Sequence, residues 1–198
     1  MIERESLARR VESLSKELAE MIRAKESRIE QADTPFFEKG SIYFVIYLGE
    51  YRPTGFSVGC ADPDFTVLLA NNRDGFIRLA KEANVRLESA NDAIRYVTCL
   101  LETTRDFARR FQVIRRFDDI ELIPKASSDE QAEYKQLREK YGAVIHAPKV
   151  TSAQSWKVEL FALREQKLIR FEIKVEPNGE VEIAEVPLEE NLPIAIQR

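Results

Sequence analysis

The sequence predicts an α+β fold: an antiparallel sheet ending in a C-terminal three-stranded meander, with a long N-terminal helix and further helices packed on it. Three observations carry that prediction. From Ser155 to Val186, apolar and charged residues alternate with a period of two, as in strands with one wet face. Over residues 4–32, apolar residues recur at spacings of three and four, as on an amphipathic helix. Between these stretches, helical and strand patterns come in blocks rather than in strict alternation, which favours antiparallel pairing.

In the meander, Ile169, Phe171, Ile173 and Val175 alternate with Arg170, Glu172, Lys174 and Glu176, and Trp156, Val158, Leu160 and Ala162 form the matching inner row of the preceding strand. The segment E-P-N-G-E then reads as a hairpin loop. Proline presets φ, Asn178 suits the next position, and Gly179 supplies the positive φ of a bulged turn. That loop pairs Val175 with Val181, Ile173 with Ile183 and Lys174 with Glu182, matching apolar with apolar and charge with opposite charge. The first hairpin is less constrained. Pairing Leu160 with Phe171 sets Glu159 against Glu172, whereas a two-residue slip pairs Glu159 with Lys174 or Arg170.

The N-terminal stripe consists of Leu7, Val11, Leu14, Leu18, Met21, Ile22 and Ile29, interrupted at Lys25, with Thr34-Pro35 ending the helix. Such a narrow stripe suits a helix lying on a sheet, or a short coiled-coil seam with a second copy. Residues 42–48 are β-branched and aromatic on both faces and predict a strand covered from both sides. A turn at 51–55 and strands at 56–60 and 65–70 follow, with Asp62-Pro63-Asp64 as a loop. A short helix is expected near 76–83, stopped at Asn84. Ser89-x-x-Asp92 has the spacing of a helix start, and the apolar face that follows runs to Phe111. Residues 113–123 read as a strand ended by Pro124, Ser128-x-x-Gln131 as the start of a helix to Tyr141, residues 143–155 as an extended connection, and 188–198 as a tail.

The chain reads as one α+β unit, or alternatively as two helix-then-meander halves, 1–88 and 89–198. A helix cradled by a curved antiparallel sheet is similar to cystatin-like and NTF2-like rolls, a resemblance of architecture that implies no function.

Composition narrows the function classes. Net charge is −4 and each half carries an equal share, so duplex nucleic acid is disfavoured as a partner. The charged start Met1-Ile-Glu-Arg-Glu predicts no secretory signal, and the longest apolar run, 42–48, is too short to span a bilayer. Two cysteines, Cys60 and Cys99, and one histidine make no zinc or haem pattern. A cytoplasmic protein without cofactor or metal is the expectation. Glycines 49, 55 and 59 match no phosphate-binding loop.

The candidate sites are therefore sparse. His146 can act as a base beside a carboxylate, or with Cys60 or Cys99 as nucleophile and Asp62 or Asp64 as orienting group. The carboxylates Asp118, Asp119 and Glu121, like Asp62 and Asp64, lack the spacing of a calcium loop and read as solvated edges and turns. Arg105, Arg109, Arg110, Arg115 and Arg116, interleaved with Phe107, Phe111 and Phe117, are weak candidates for anion binding, diluted by the acids that follow. An acidic run, Glu176, Glu180, Glu182, Glu185, Glu189 and Glu190, reads as a solvated face or a complement to those arginines. Tyr43, Tyr47 and Trp156 suit the core, and Tyr47, Trp156 and His146 can also line a ligand pocket in a curved sheet. Three readings follow: a non-catalytic protein-interaction or self-association module, a small-molecule-binding module, and a small enzyme using His146 with a carboxylate. The absence of catalytic motifs favours the first, with a protein partner or a homodimer.

Overall fold

The computed structural model describes residues 3–49, 53–62, 64–123, 125–152 and 155–194. The fold is α+β with antiparallel sheets, and it separates into two compact units. The first comprises residues 1–108 with the turn Pro177–Glu180; the second comprises 109–176 and 181–198. Two sheets, of four and five strands, replace the single curved sheet of a roll.

In the first unit the expected long helix is instead two helices and a strand: α1 (Arg4–Glu12), α2 (Lys16–Arg23) and β1 (Ser27–Gln31). The break falls at Ser13-Leu14-Ser15. Ser15 takes an extended backbone and its hydroxyl accepts from the Leu18 N–H at 3.3 Å, capping α2. The helices fold against each other, joined by Arg23, which binds Glu5, Glu12 and Glu20. The Arg4 guanidinium donates to the carbonyls of Ile22, Ala24 and Ser27, satisfying the C-terminal end of α2. The periodicity runs unbroken through these changes, because Ile29 continues the helical spacing but faces Val45 across a strand pair.

Strands β2 (Gly40–Leu48), β3 (Pro53–Ala61) and β4 (Phe65–Leu68) complete the antiparallel order β1-β2-β3-β4. Residues 51 and 52 of the expected turn, and Pro63 of the expected loop, lie outside the described residues. Leu7, Ala8, Val11 and Ile22 pack on the face formed by Tyr43, Val45, Phe56, Val58 and Cys60. The chain's own sheet thus covers the N-terminal stripe, while Leu14, at the break, is left 48% exposed. Helix α3 (Arg73–Glu82) lies against the other face, close to β3 because Gly59 leaves room for Leu79. It starts three residues earlier than expected, with Asn72 as its cap, and Asn84 follows it at φ 54. Helix α4 (Ala90–Thr103) is capped by Ser89, whose hydroxyl accepts from the Asp92 N–H at 3.1 Å. It stops at Thr103, short of Phe107 and Phe111. Phe107 approaches Phe44 with ring centres 6.3 Å apart.

In the second unit the strand expected over 113–123 is only β5 (Phe111–Ile114), followed by a 3-10 turn at Phe117–Asp119. The Asp119 carboxylate accepts from the N–H groups of Arg115 and Arg116, turning the chain out of extension. Pro124 lies outside the described residues. Helix α5 (Ser128–Tyr141) is capped one residue earlier than expected: Ser127 and Glu130 form the reciprocal box, with Ser127 N–H to Glu130 Oε2 at 2.7 Å. The connection after it contains a short strand, β6 (Lys149–Ser152).

Strands β7 (Trp156–Arg164), β8 (Lys167–Val175) and β9 (Val181–Glu189) are consecutive and antiparallel, but they belong to a larger sheet. Strands β5 and β6 pair with successive parts of the other edge of β7. The pairs Val175–Val181, Ile173–Ile183 and Lys174–Glu182 are those that the loop chemistry implies. In the first hairpin a two-residue turn, with Glu165 at φ 55, sets Leu160 opposite Phe171 and Glu159 opposite Glu172. The inner row of Val158, Leu160, Ala162, Ile169, Phe171, Ile173 and Val175 is buried, with Trp156, Val181 and Ile183 half-buried. The other face is not uniformly wet. Phe161, Leu163 and Leu168 are buried there with Leu137 and Tyr141 of α5, and with Ile114, Phe117, Ile120, Ile145, Leu192 and Ile194.

Candidate functional site

Because α5 covers only the end of this face near the 164–167 turn, the rest of β6, β7, β8 and β9 is left as a groove of about 670 Å³. It is lined by Thr151, Lys157, Glu159, Glu172, Lys174 and Glu182, with Ala184 and the backbone beneath. The register puts like charges directly opposite each other: Lys157 faces Lys174, and Glu159 faces Glu172. Such pairs are unfavourable unless they are compensated. Glu172 is compensated by Arg170 at 2.9 Å, and Lys174 by Glu176 at 2.7 Å and Glu182 at 3.7 Å.

Glu159 is compensated from outside the hairpin. Its Oε1 meets His146 Nε2 at 2.9 Å and Lys149 Nζ at 3.2 Å. His146 Nδ1 lies 2.7 Å from the carbonyl of Ala147, and the ring stands edge-on to Phe161 at 5.1 Å between centres. Burial pushes the Glu159 carboxyl up, but its bonds to Lys149 and His146 together outweigh burial and hold it below the usual glutamate range. An ionised carboxylate and a carbonyl only accept, so both imidazole nitrogens face acceptors, and both contacts are satisfied only when each nitrogen carries a proton.

The remaining candidates are distributed. Cys60 and Cys99 belong to the first unit and are buried, and burial pushes both thiols up, away from the reactive thiolate. Asp62 pairs with Arg10 at 3.4 Å, and Asp64 lines a shallow polar groove with Ser6, Arg9 and Arg10. Asp118 pairs with Arg138 at 2.6 Å, Asp119 with Arg116 at 3.2 Å, and Glu121 is exposed. Of the arginine cluster, Arg105 lies in the first unit over the Phe107 ring, while Arg109 meets Glu165 and Arg110 meets Gln112 in the second. Arg115 and Arg116 are exposed. The acidic run is laced to basic partners: Glu180 to Lys81, Glu185 to Arg164, Glu189 to Lys140 and Glu190 to Lys167. Tyr43 is in the first unit's core and Tyr47 lies on β2, whereas Trp156 opens β7 in the second unit.

Among the described residues, no group of three His, Cys, Asp or Glu side chains is placed to hold a metal ion. None of the described helices is long and apolar enough to cross a membrane. Sequence reasoning missed Glu159 and Lys149 as partners of His146; of the registers left open for the first hairpin, the one opposing Glu159 to Glu172 carried the signal, an acid in need of a partner. Comparison with known protein families, curated proteins and solved structures finds no match.

Proposed function

We propose that this protein is a non-catalytic interaction module that engages a protein partner through the uncovered face of β6, β7, β8 and β9. The observation that carries this reading is the groove itself, a broad charged surface beyond the edge of α5, the described helix of this unit. Most of its ionisable groups are already ion-paired, which suits recognition by complementary charge better than proton transfer. The N-terminal stripe, the other interface candidate, is engaged by the first unit's own sheet, which favours the sheet face over helix-mediated self-association.

The test compares the immobilised protein with a Lys157→Glu, Glu182→Lys double variant, both verified as folded by thermal unfolding. The expected result is a bound protein, identified by mass spectrometry, that the variant loses. Identical sets on both, or none on either, would overturn the reading.

The second reading is a small enzyme, favoured by the 2.9 Å contact between His146 and Glu159. A carboxylate beside an imidazole is the orienting half of many acid–base sites. Against it stands the Nδ1 contact to Ala147, which together with the Glu159 contact occupies both ring nitrogens and leaves no lone pair free while both bonds are made.

A further inference from the structure

We propose that His146 is a proton-operated latch that holds β6, one wall of the groove, against β7. The inference rests on the interaction reading only in naming the groove as the site that is regulated. The latch follows from the two acceptors flanking the ring. With both nitrogens protonated, Nε2 donates to Glu159 on β7 while Nδ1 donates to the Ala147 carbonyl in the connection leading to β6. The ring also packs edge-on against Phe161, at 5.1 Å between centres.

Loss of one ring proton places a lone pair against an acceptor. The neutral ring then either gives up the Glu159 bond, or keeps it as an uncharged donor and gives up the Ala147 contact, so the ion pair across to β7 is lost in both tautomers. Glu159 offers no compensating proton, because its carboxyl stays ionised well below the neutral range. The charged groups facing the ring are few. Lys149, on β6 itself, shares Glu159 Oε1 and remains attached when the imidazole lets go. From β8 the facing group is Glu172, directly across from Glu159 and paired with Arg170. Phe161 contributes no charge.

Strand β6 is short, and its register with β7 shifts between Val150 and Ser152, so without the imidazole it is held only by a weak ladder and the half-exposed Lys149–Glu159 pair. The latch is therefore tightest at low pH, when the imidazolium pairs with Glu159, and loosens on the Thr151 side of the groove as the ring loses its charge.

His146 is the only histidine in the chain, so its NMR titration is unambiguous. The experiment follows the ring resonances of the full-length protein from acid to mildly basic pH. In parallel it follows amide protection at 149–151, corrected for intrinsic exchange. The expected result is a drop in β6 protection of about three- to tenfold that tracks the ring titration, the size of losing one charge-assisted hydrogen bond at a partly exposed site. In His146→Phe, and separately in Glu159→Gln, whose amide can also donate, the drop should vanish. Protection that stays level through the titration, or that falls equally in His146→Phe, would overturn the latch. None of these readouts needs a partner, so failure of the latch and failure of the interaction reading are told apart.

Discussion

The hydroxyl of Tyr96 donates a 2.6 Å hydrogen bond to the carbonyl of Gly179, joining α4 to the turn 177–180 within the first unit. Gly179 sits at φ 83, and a Cβ built there would lie 2.8 Å from the Tyr96 hydroxyl and 2.9 Å from Val85 Cγ1. The turn glycine is thus demanded twice, by backbone conformation and by close packing. Tyr96 is itself fully buried, with Phe36 and Phe76 edge-on at 5.3 and 5.2 Å.

Gly179→Ala is expected to cost about 2–4 kcal/mol, roughly 1 for the positive φ and the rest for overpacking. Tyr96→Phe should cost about 1–3 kcal/mol, because it removes the donor to a buried carbonyl. Denaturant titration of both variants measures this. A Gly179→Ala loss no greater than that of an exposed loop glycine would show that the packing contribution is absent.

The N-terminal stripe divides energetically at the break between α1 and α2. Leu7 is 0% exposed and Leu14 48%. Leu7→Ala should cost about 2–5 kcal/mol and Leu14→Ala within about 0.5 kcal/mol. Equal losses in thermal unfolding would mean that the two leucines share one continuous helix after all.

Removing residues 1–30 takes away Leu7, Val11 and Ile22 together with most of β1, exposing Tyr43, Val45, Phe56 and Val58. The expected outcome for residues 31–198 is collapse of amide protection over β2 and β3, read by hydrogen exchange. Retained protection there would indicate that the two helices are dispensable to the core.

The Glu159 carboxyl has a folded value below the ordinary 4.5 of glutamate, so it binds fewer protons folded than unfolded in that window. Its contribution is complete above about 4.5 and is lost as pH falls through the lower folded value. Glu159→Gln should therefore be less stable near neutrality and show a shallower acid limb. Superimposable acid limbs in pH-dependent denaturation would contradict the pairing with Lys149 and His146.

The sequence alone settles what is local. Alternation places Phe171 and Ile173 inside, the turn chemistry around Gly179 sets the β8–β9 register, and Ser89 marks the start of α4, because each depends on residues a few positions apart. It misreads 4–32, because Ile29 fits the helical period while the break depends on Ser15 capping a second helix and on Arg4 reaching the end of α2. Folding alone decides which face α1 and α2 cover: that of Tyr43 and Val45 rather than that of Phe44 and Ile46. It likewise leaves half of the β7–β8 face bare beyond the edge of α5, with Phe161 buried and Lys157 wet on the same side of one strand. The His146–Glu159–Lys149 cluster belongs to that second kind. His146 and Glu159 are thirteen residues apart on a connection and a strand, and their meeting is set by where the connection crosses the sheet, a distance that no local periodicity encodes.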